Sequence, residues 1–164
     1  MEANNQRVIE LYNSVKKKKQ ELKVIQKEYK DLHKSILVEK MKSLQARFSN
    51  VDLKPSYSTN IIAIVSFLLP TGKQCDLLLT SSESEFSCVL NSHPKMVKGE
   101  VQYDLQFQNL APYFKGIFTH QRGIDQFYTE FLPYQYDEVF YCFEKAFKTL
   151  LELGAEASEY KPGI

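Results

Sequence analysis

The stretch VIELYNSVKKKKQELKVIQKEYKDLHKSI, Val8 to Ile36, carries apolar residues at alternating steps of three and four. This spacing is a heptad repeat, whose a and d positions form a narrow apolar seam along a helix. The seam positions are Val8, Leu11, Val15, Lys18, Leu22, Ile25, Tyr29, Leu32 and Ile36. No Gly or Pro precedes Pro55, so residues 1–50 are predicted to form a coiled-coil helix. The alternative is an amphipathic helix packed on its own domain, which usually has a broader apolar face.

The four consecutive lysines, Lys16 to Lys19, lie mostly off this seam. Only Lys18 enters it, at a d position, where a lysine costs stability but can select a register or an acidic partner. The alternative function is a nucleic-acid-binding dimer that uses this basic helix. A lysine run without interleaved aromatic residues offers only salt-dependent phosphate attraction, so direct nucleic-acid contact is not the leading expectation.

After Ile36 the apolar repeat shifts to another helix face, where Leu37, Met41, Leu44 and Phe48 continue it. The partner interface is therefore expected to end there, and the rest of the helix to turn its apolar side onto a globular domain. Pro55 forces the chain out of helix, which predicts a linker at 51–60, a globular domain at 61–154 and a flexible tail at 155–164.

The globular domain is predicted to be α+β. Four segments of strand character, 61–69, 75–80, 86–90 and 101–107, predict a four-stranded antiparallel meander. The PTGK turn at Pro70 to Lys73 lacks the glycine-rich run of a phosphate-binding loop and is predicted to be a hairpin turn. Two C-terminal helices are expected to cover the sheet, one over 124–132 that ends at Pro133 and one that begins at Tyr136 and stops at Gly154.

Charge and cysteine content restrict the class of protein. Residues 1–50 hold twelve Lys and Arg against six Asp and Glu, while residues 51–164 hold nine against fourteen. Three cysteines without a C-x-x-C pair support neither a disulfide framework nor a zinc ribbon, and favour a reducing compartment. The polar opening Met1 to Arg7 lacks the apolar core of a signal peptide, and the longest apolar run, 61–69, is too short to span a membrane. A soluble intracellular protein is expected.

No catalytic or metal motif stands out. The three histidines, His33, His93 and His120, are scattered, and no cofactor is indicated. The order of helix, sheet and helices is also that of ubiquitin-conjugating enzymes, and HPK at His93 to Lys95 resembles the start of their His-Pro-Asn motif. Lys95 replaces the asparagine, and no cysteine follows until Cys142. A thioester enzyme is therefore not expected, and the cysteines are interpreted as small core hydrophobes.

The layout of an N-terminal coil leading into α-β-β-β-β-α-α resembles the RWD class of domains, which are catalytically silent relatives of the ubiquitin-conjugating fold. Together with the heptad helix, it is similar to the two small globular subunits of the outer-kinetochore microtubule-binding complex and to the globular subunit of monopolin. LAPYFKGIFTHQRGIDQFYTEF, from Leu110 to Phe131, resembles the monopolin-type ending. VFYCFEKAFKTLL, from Val139 to Leu151, looks like the closing helix of the outer-kinetochore subunits.

This resemblance implies a non-enzymatic scaffold or adaptor of a kinetochore-type complex in chromosome segregation, located in the nucleus at the centromere. Its coil would pair with itself or with a related RWD subunit, and its globular domain would dock a peptide or helix of another complex component. The aromatic content exceeds what one small core requires, which suggests exposed aromatic anchors. The candidate partner-binding residues are Tyr113, Phe114, Tyr134 and Tyr141.

Overall fold

The structure, a computed structural model, describes residues 2–48, 60–93, 95–102 and 104–158. Its α+β fold is confirmed: a long N-terminal helix, an antiparallel sheet and a C-terminal helix. The elements in order are α1 (Glu2–Arg47), β1 (Ile61–Leu68), β2 (Gln74–Ser81), β3 (Phe86–Ser92), β4 (Lys95–Val97), β5 (Glu100–Gln102), a 3₁₀ segment (Phe107–Phe114), β6 (His120–Arg122), β7 (Gln126–Phe131), α2 (Tyr136–Glu152) and β8 (Glu156–Ser158).

Helix α1 contributes to two compact units, which divide between Glu39 and Lys40. The shift of apolar phase after Ile36 corresponds to a change in burial. Leu37, Met41 and Leu44 are buried, as predicted, whereas seam residues from Val8 to Leu32 are exposed. No helix among the described residues combines the length and the hydropathy that a membrane span requires.

The main sheet has six antiparallel strands in the order β6-β7-β3-β2-β1-β8. The expected hairpin turn at PTGK is present: Gly72 has a φ of 83°, and its N–H donates to the Leu69 carbonyl at 2.9 Å. Because glycine adopts positive φ at little cost, this position suits the tight reversal between β1 and β2. The SSESE turn likewise closes through the Ser82 N–H, which donates to the Glu85 carbonyl.

Helix α2 covers one face of this sheet. Phe147 packs edge to face against Phe67 of β1 with ring centroids 5.0 Å apart, and Val139, Phe143 and Leu150 are fully enclosed. The final turns of α1 run beside α2 in the same direction, since Lys40 pairs with Asp137 and Arg47 with Glu144. The main core therefore lies between the sheet and these helical segments.

The predicted fourth strand over 101–107 is not part of the main sheet. Glu100–Gln102 pairs instead with Lys95–Val97 in a separate hairpin, whose turn places Lys98 and Gly99 at positive φ. The Asp104 carboxylate then accepts the Gln106 N–H at 3.0 Å, a local turn that competes with strand pairing. The predicted count of four strands is therefore wrong.

The helix predicted over 124–132 is also wrong, because Gln126–Phe131 forms strand β7 beside β3. Its aromatic residues fit a helical spacing in the sequence, but Phe127 and Thr129 are buried while Glu130 is exposed, which is a period of two. The preceding turn contains Gly123 with a φ of 59° and joins β6 to β7 as a hairpin. One helix, α2, covers the sheet from the C-terminal part of the described chain.

The two predicted boundary segments fall only partly within the described residues. Residues 51–59 of the predicted linker and 159–164 of the predicted tail lie outside the described residues. Within the tail segment, Glu156–Ser158 forms β8, which pairs with β1 at the sheet edge. The Gly154 turn directs the chain back to this edge, and Ala155 N–H donates to the Leu150 carbonyl at 3.0 Å.

Candidate functional site

The heptad seam forms the first candidate surface. Its seven apolar members from Val8 to Leu32 are 47% to 64% exposed, and all lie within the first compact unit of the chain. Ile9, Tyr12 and Val24 add further exposed apolar surface on the same helix. A helix in water gains most of its stability from packing an apolar face, so this exposed stripe is a surface suited to a second helix.

The charged residues around the seam are predominantly basic. Lys16, Lys17, Lys18 and Lys19 are all exposed. The helix is supported locally by an Arg7–Glu10 ion pair at 3.4 Å and by stacking of Tyr29 on His33, with centroids 5.6 Å apart. Both are contacts between neighbouring turns of one helix, and the seam residue Tyr29 remains 49% exposed beside His33.

The four candidate aromatic anchors differ in their exposure to solvent. Tyr113, Tyr134 and Tyr141 are exposed, whereas Phe114 is buried. Tyr141 lies on α2, where the Lys145 ammonium stands 5.6 Å from its ring centroid. Phe114 ends the 3₁₀ segment and contacts Phe118 and Phe127 in an aromatic cluster.

This aromatic cluster borders a cavity of about 460 Å³. Phe114, Phe118 and Phe127 provide aromatic surface, Lys115 is a basic residue of the lining, and His120 also borders the cavity, with its ring stacked on Tyr128. The backbone beside it is fixed by Thr129, whose hydroxyl donates to the Ile117 carbonyl and accepts the Thr119 N–H, both at 2.9 Å. Sequence reasoning missed this cavity, although Lys115, Phe118 and His120 all lie in the quoted stretch from Leu110 to Phe131.

Strand β6 forms one edge of the sheet beside the cavity, and all three of its residues are exposed. His120 stacks on Tyr128 of β7 with centroids 5.0 Å apart, and the Arg122 guanidinium lies 5.1 Å from the same ring. Within the described part of the chain, β6 pairs only with β7. Its outer edge can therefore accept hydrogen bonds from an added strand.

A polar row that the sequence analysis missed crosses the sheet on one face. It follows the cross-strand register and consists of Ser158, Ser66, Asp76, Asn91, Gln126 and Arg122. The buried Asp76 accepts the Ser66 hydroxyl at 2.6 Å and contacts His93 Nδ1 at 2.9 Å. Since serine and histidine both bind the aspartate, the histidine does not stand between them as a general base would in a hydrolytic triad. The row satisfies buried polar groups.

The three cysteines are buried and free, which confirms their interpretation as core residues. Cys88 and Cys142 interact as a pair. Burial raises the pKa of Cys88, while the hydrogen bond with Cys88 lowers that of Cys142. Over the ranges that the structure describes, no three His, Cys, Asp or Glu side chains form a group that could hold a metal ion.

Cys75 should make folding stability pH-dependent above neutrality. Burial, with the nearby carboxylates of Asp76 and Asp104, raises the pKa of this thiol from 9.0 to about 12. Above pH 9 the unfolded chain releases the thiol proton while the folded chain retains it, so stability falls as pH rises from 9 towards 12. The slope from this group is about 1.4 kcal/mol per pH unit. Urea denaturation of Cys75→Ala and the wild-type chain at several pH values should show that excess slope only in the wild type; equal slopes would contradict it.

The exposed seam of α1 and the cavity beside β6 are the two candidate interaction surfaces. One is an apolar stripe with basic flanks, and the other is lined by aromatic residues with Lys115 and His120 beside them. Comparison of the chain with protein-family models, with curated proteins and with solved structures gave no match.

Proposed function

We propose that the protein is a non-enzymatic scaffold that pairs through the seam of α1 with a helix of another protein. The observation that carries this proposal is the exposure of seven apolar seam residues over about three and a half heptads. Coiled-coil pairing buries such a seam by inserting each a and d side chain between four residues of the facing helix.

Lys18 favours a partner different from the chain itself. In a parallel pair of identical helices in register, each d side chain faces the partner's d residue and the e residue that follows it. Lys18 would meet a second Lys18 and a second Lys19, which concentrates four positive charges in one layer. Like charges at about 4 Å repel by roughly 1 kcal/mol in water and by more where water is excluded. An Asp or Glu on the facing helix converts this repulsion into attraction.

The alternative antiparallel self-pairing has its own cost. If two chains cross with Leu22 near the centre, Glu21 at a g position faces Glu21 of the second chain. A parallel arrangement instead brings Glu28 towards His33 and Glu21 towards Gln26. Outside the Lys18 layer, the flanking residues are thus compatible with a parallel pair.

The kinetochore-type assignment is the finer part of this proposal. It includes an RWD-like globular part, a nuclear and centromeric location, and a role in chromosome segregation. The helix-sheet-helix order supports it, together with the adjacent antiparallel strands β1, β2, β3 and β7 and the packing of α2 on the sheet. The seam and the cavity would act as attachment points for different components of such a complex.

Mixing two versions of the full chain tests the pairing. Lys18→Glu with Lys19→Glu creates a chain with acidic residues in the Lys18 layer. Sedimentation equilibrium should show that an equimolar mixture with wild type associates at least about 10-fold more tightly than either chain alone, because two opposed charge pairs replace repulsion. Lys16→Glu with Lys17→Glu has the same charge change off the seam and should give no such gain.

Every result of the mixing experiment is informative. A stable dimer of the wild-type chain alone would retain the seam as an interface and overturn the acidic partner. If the Lys16→Glu, Lys17→Glu chain associates with wild type as tightly as the Lys18→Glu, Lys19→Glu chain does, pairing depends on overall charge, and the seam is not the interface. Binding of a labelled 20-base-pair DNA that both double variants weaken equally, without any specific pairing in the mixture, would favour the nucleic-acid function instead.

A further inference from the structure

We infer that the cavity beside β6 is a docking site for an extended, acidic peptide segment of a partner protein, with one aromatic or large aliphatic side chain seated in the cavity against Phe118. This inference deepens the docking part of the proposed scaffold function and does not depend on helix pairing. The cavity and the edge strand belong entirely to the second compact unit.

The size and lining of the cavity suit a single large side chain. Its volume of about 460 Å³ falls in the range of small ligand sites. The ring centroids of Phe114 and Phe118 lie 5.4 Å apart, and those of Phe118 and Phe127 lie 6.3 Å apart. Phe114 and Phe127 are almost fully buried, so the half-buried Phe118 offers most of the aromatic contact to an inserted ring, in an edge-to-face or offset arrangement.

The charge at the cavity identifies the flanking residues of the peptide. Lys115 and His120 are among its lining residues, and the described lining contains no carboxylate. Arg122 lies two residues further along the same edge strand. Glutamate or aspartate residues next to the inserted side chain would therefore find basic partners, whereas lysine or arginine residues would be repelled.

The free edge of β6 supports an extended backbone for this peptide. Strand addition supplies main-chain hydrogen bonds and places alternate side chains on opposite faces of the sheet. Gln121 and Phe127 form a cross-strand pair and both line the cavity, so the cavity opens onto one face of this edge. His120 and Arg122 lie on the other face with Tyr128. In an extended peptide, one side chain can therefore fill the cavity while the side chains before and after it point to the other face, towards His120 and Arg122.

The test uses the full chain and a fluorescein-labelled peptide of the sequence Glu-Val-Glu-Phe-Glu-Val-Glu, with blocked ends. Fluorescence anisotropy should show binding to the wild type. Affinity should fall at least about 10-fold, which corresponds to a loss of about 1.4 kcal/mol, for Lys115→Glu and for Ala111→Trp, which introduces a large side chain at the cavity wall. Replacing the peptide phenylalanine by alanine should have a similar effect.

Lys148→Glu is the matched control, because it makes the same charge change at an exposed position of α2. It should leave affinity within about twofold of wild type at physiological salt, since exposed charges beyond a Debye length are screened. Failure of the wild type to bind at 1 mM protein, about the weakest affinity that a specific site would show, would overturn the inference. Equal losses for Lys115→Glu and Lys148→Glu would also overturn it, as would stronger binding of single-stranded oligouridine at the same residues.

The sedimentation measurement separates this site from the helix seam. Lys115→Glu and Ala111→Trp should leave association with the Lys18→Glu, Lys19→Glu chain unchanged. Peptide binding without helix pairing would overturn the scaffold proposal and support the docking site. Helix pairing without peptide binding would overturn the docking site and support the scaffold.

Discussion

Lys18→Leu should turn the chain into a tight self-associating species. The substitution removes two of the four charges in this layer and places an apolar residue at the one vacant seam position, so the apolar seam continues from Val15 to Leu22 without interruption. Burial of a leucine contributes about 2 kcal/mol, and two copies are buried in a dimer, for a gain of about 4 kcal/mol. Since each 1.4 kcal/mol is tenfold in affinity, sedimentation equilibrium should show a dissociation constant at least about 100-fold lower than for wild type.

Lys17→Leu is the control for this result. It makes the same substitution one residue earlier, at a c position that faces away from the seam. Its dissociation constant should stay close to that of wild type. If the two variants self-associate equally, added surface hydrophobicity explains the effect. If neither variant self-associates, the exposed stripe is not a pairing seam.

The helical parts of this fold could be predicted from short-range pattern. The seam, the shift of phase after Ile36 and the buried face of α2 all depend on spacings of three and four within one element. Leu44 and Phe147 fall on the faces where these spacings place them, and both are buried. Strands β1 to β3 could also be predicted from the sequence, because turn residues separate them.

The region from 101 to 132 could not be predicted in the same way, because its structure depends on distant partners. Phe127 and Phe131 fit a helix and a strand equally well in isolation, and pairing of β7 with β3 decides between them. Val101 and Leu105 looked like one face of a strand, but both are exposed. The local hydrogen bond of Asp104 interrupts the alternation between them and Phe107.

The difference between short-range pattern and distant pairing also explains which candidate surface could be predicted from the sequence. The seam lies within one helix and was visible in the sequence. The cavity beside β6 requires Phe114, Phe118 and Phe127 to converge from the 3₁₀ segment, the loop that follows it and strand β7. Phe114 was identified as a partner-binding candidate because it stood in an aromatic stretch. It forms a wall of the cavity, while its neighbour Tyr113 is exposed.

Phe143→Ala should produce a larger loss of stability than any surface substitution on α2. The ring has no exposed surface, and its centroid lies 6.5 Å from that of Phe147, which contacts both Phe67 and Phe48. Removing a buried phenylalanine leaves a cavity that the sheet and helix fill only in part, at a cost of about 3 to 5 kcal/mol. Urea denaturation followed by circular dichroism should show this loss as a lower midpoint.

Tyr141→Ala is the matched control on the same helix. Its ring is 64% exposed and makes one described ring contact, with the Lys145 ammonium. An exposed cation–π pair contributes about 0.5 to 1 kcal/mol, so the midpoint should change little. Similar losses for Phe143→Ala and Tyr141→Ala would contradict the arrangement in which α2 presents Phe143 to the sheet. A large loss confined to Phe143→Ala would place the folding energy of the globular part in the layer between α2 and the strands, leaving Tyr141 free to serve a partner.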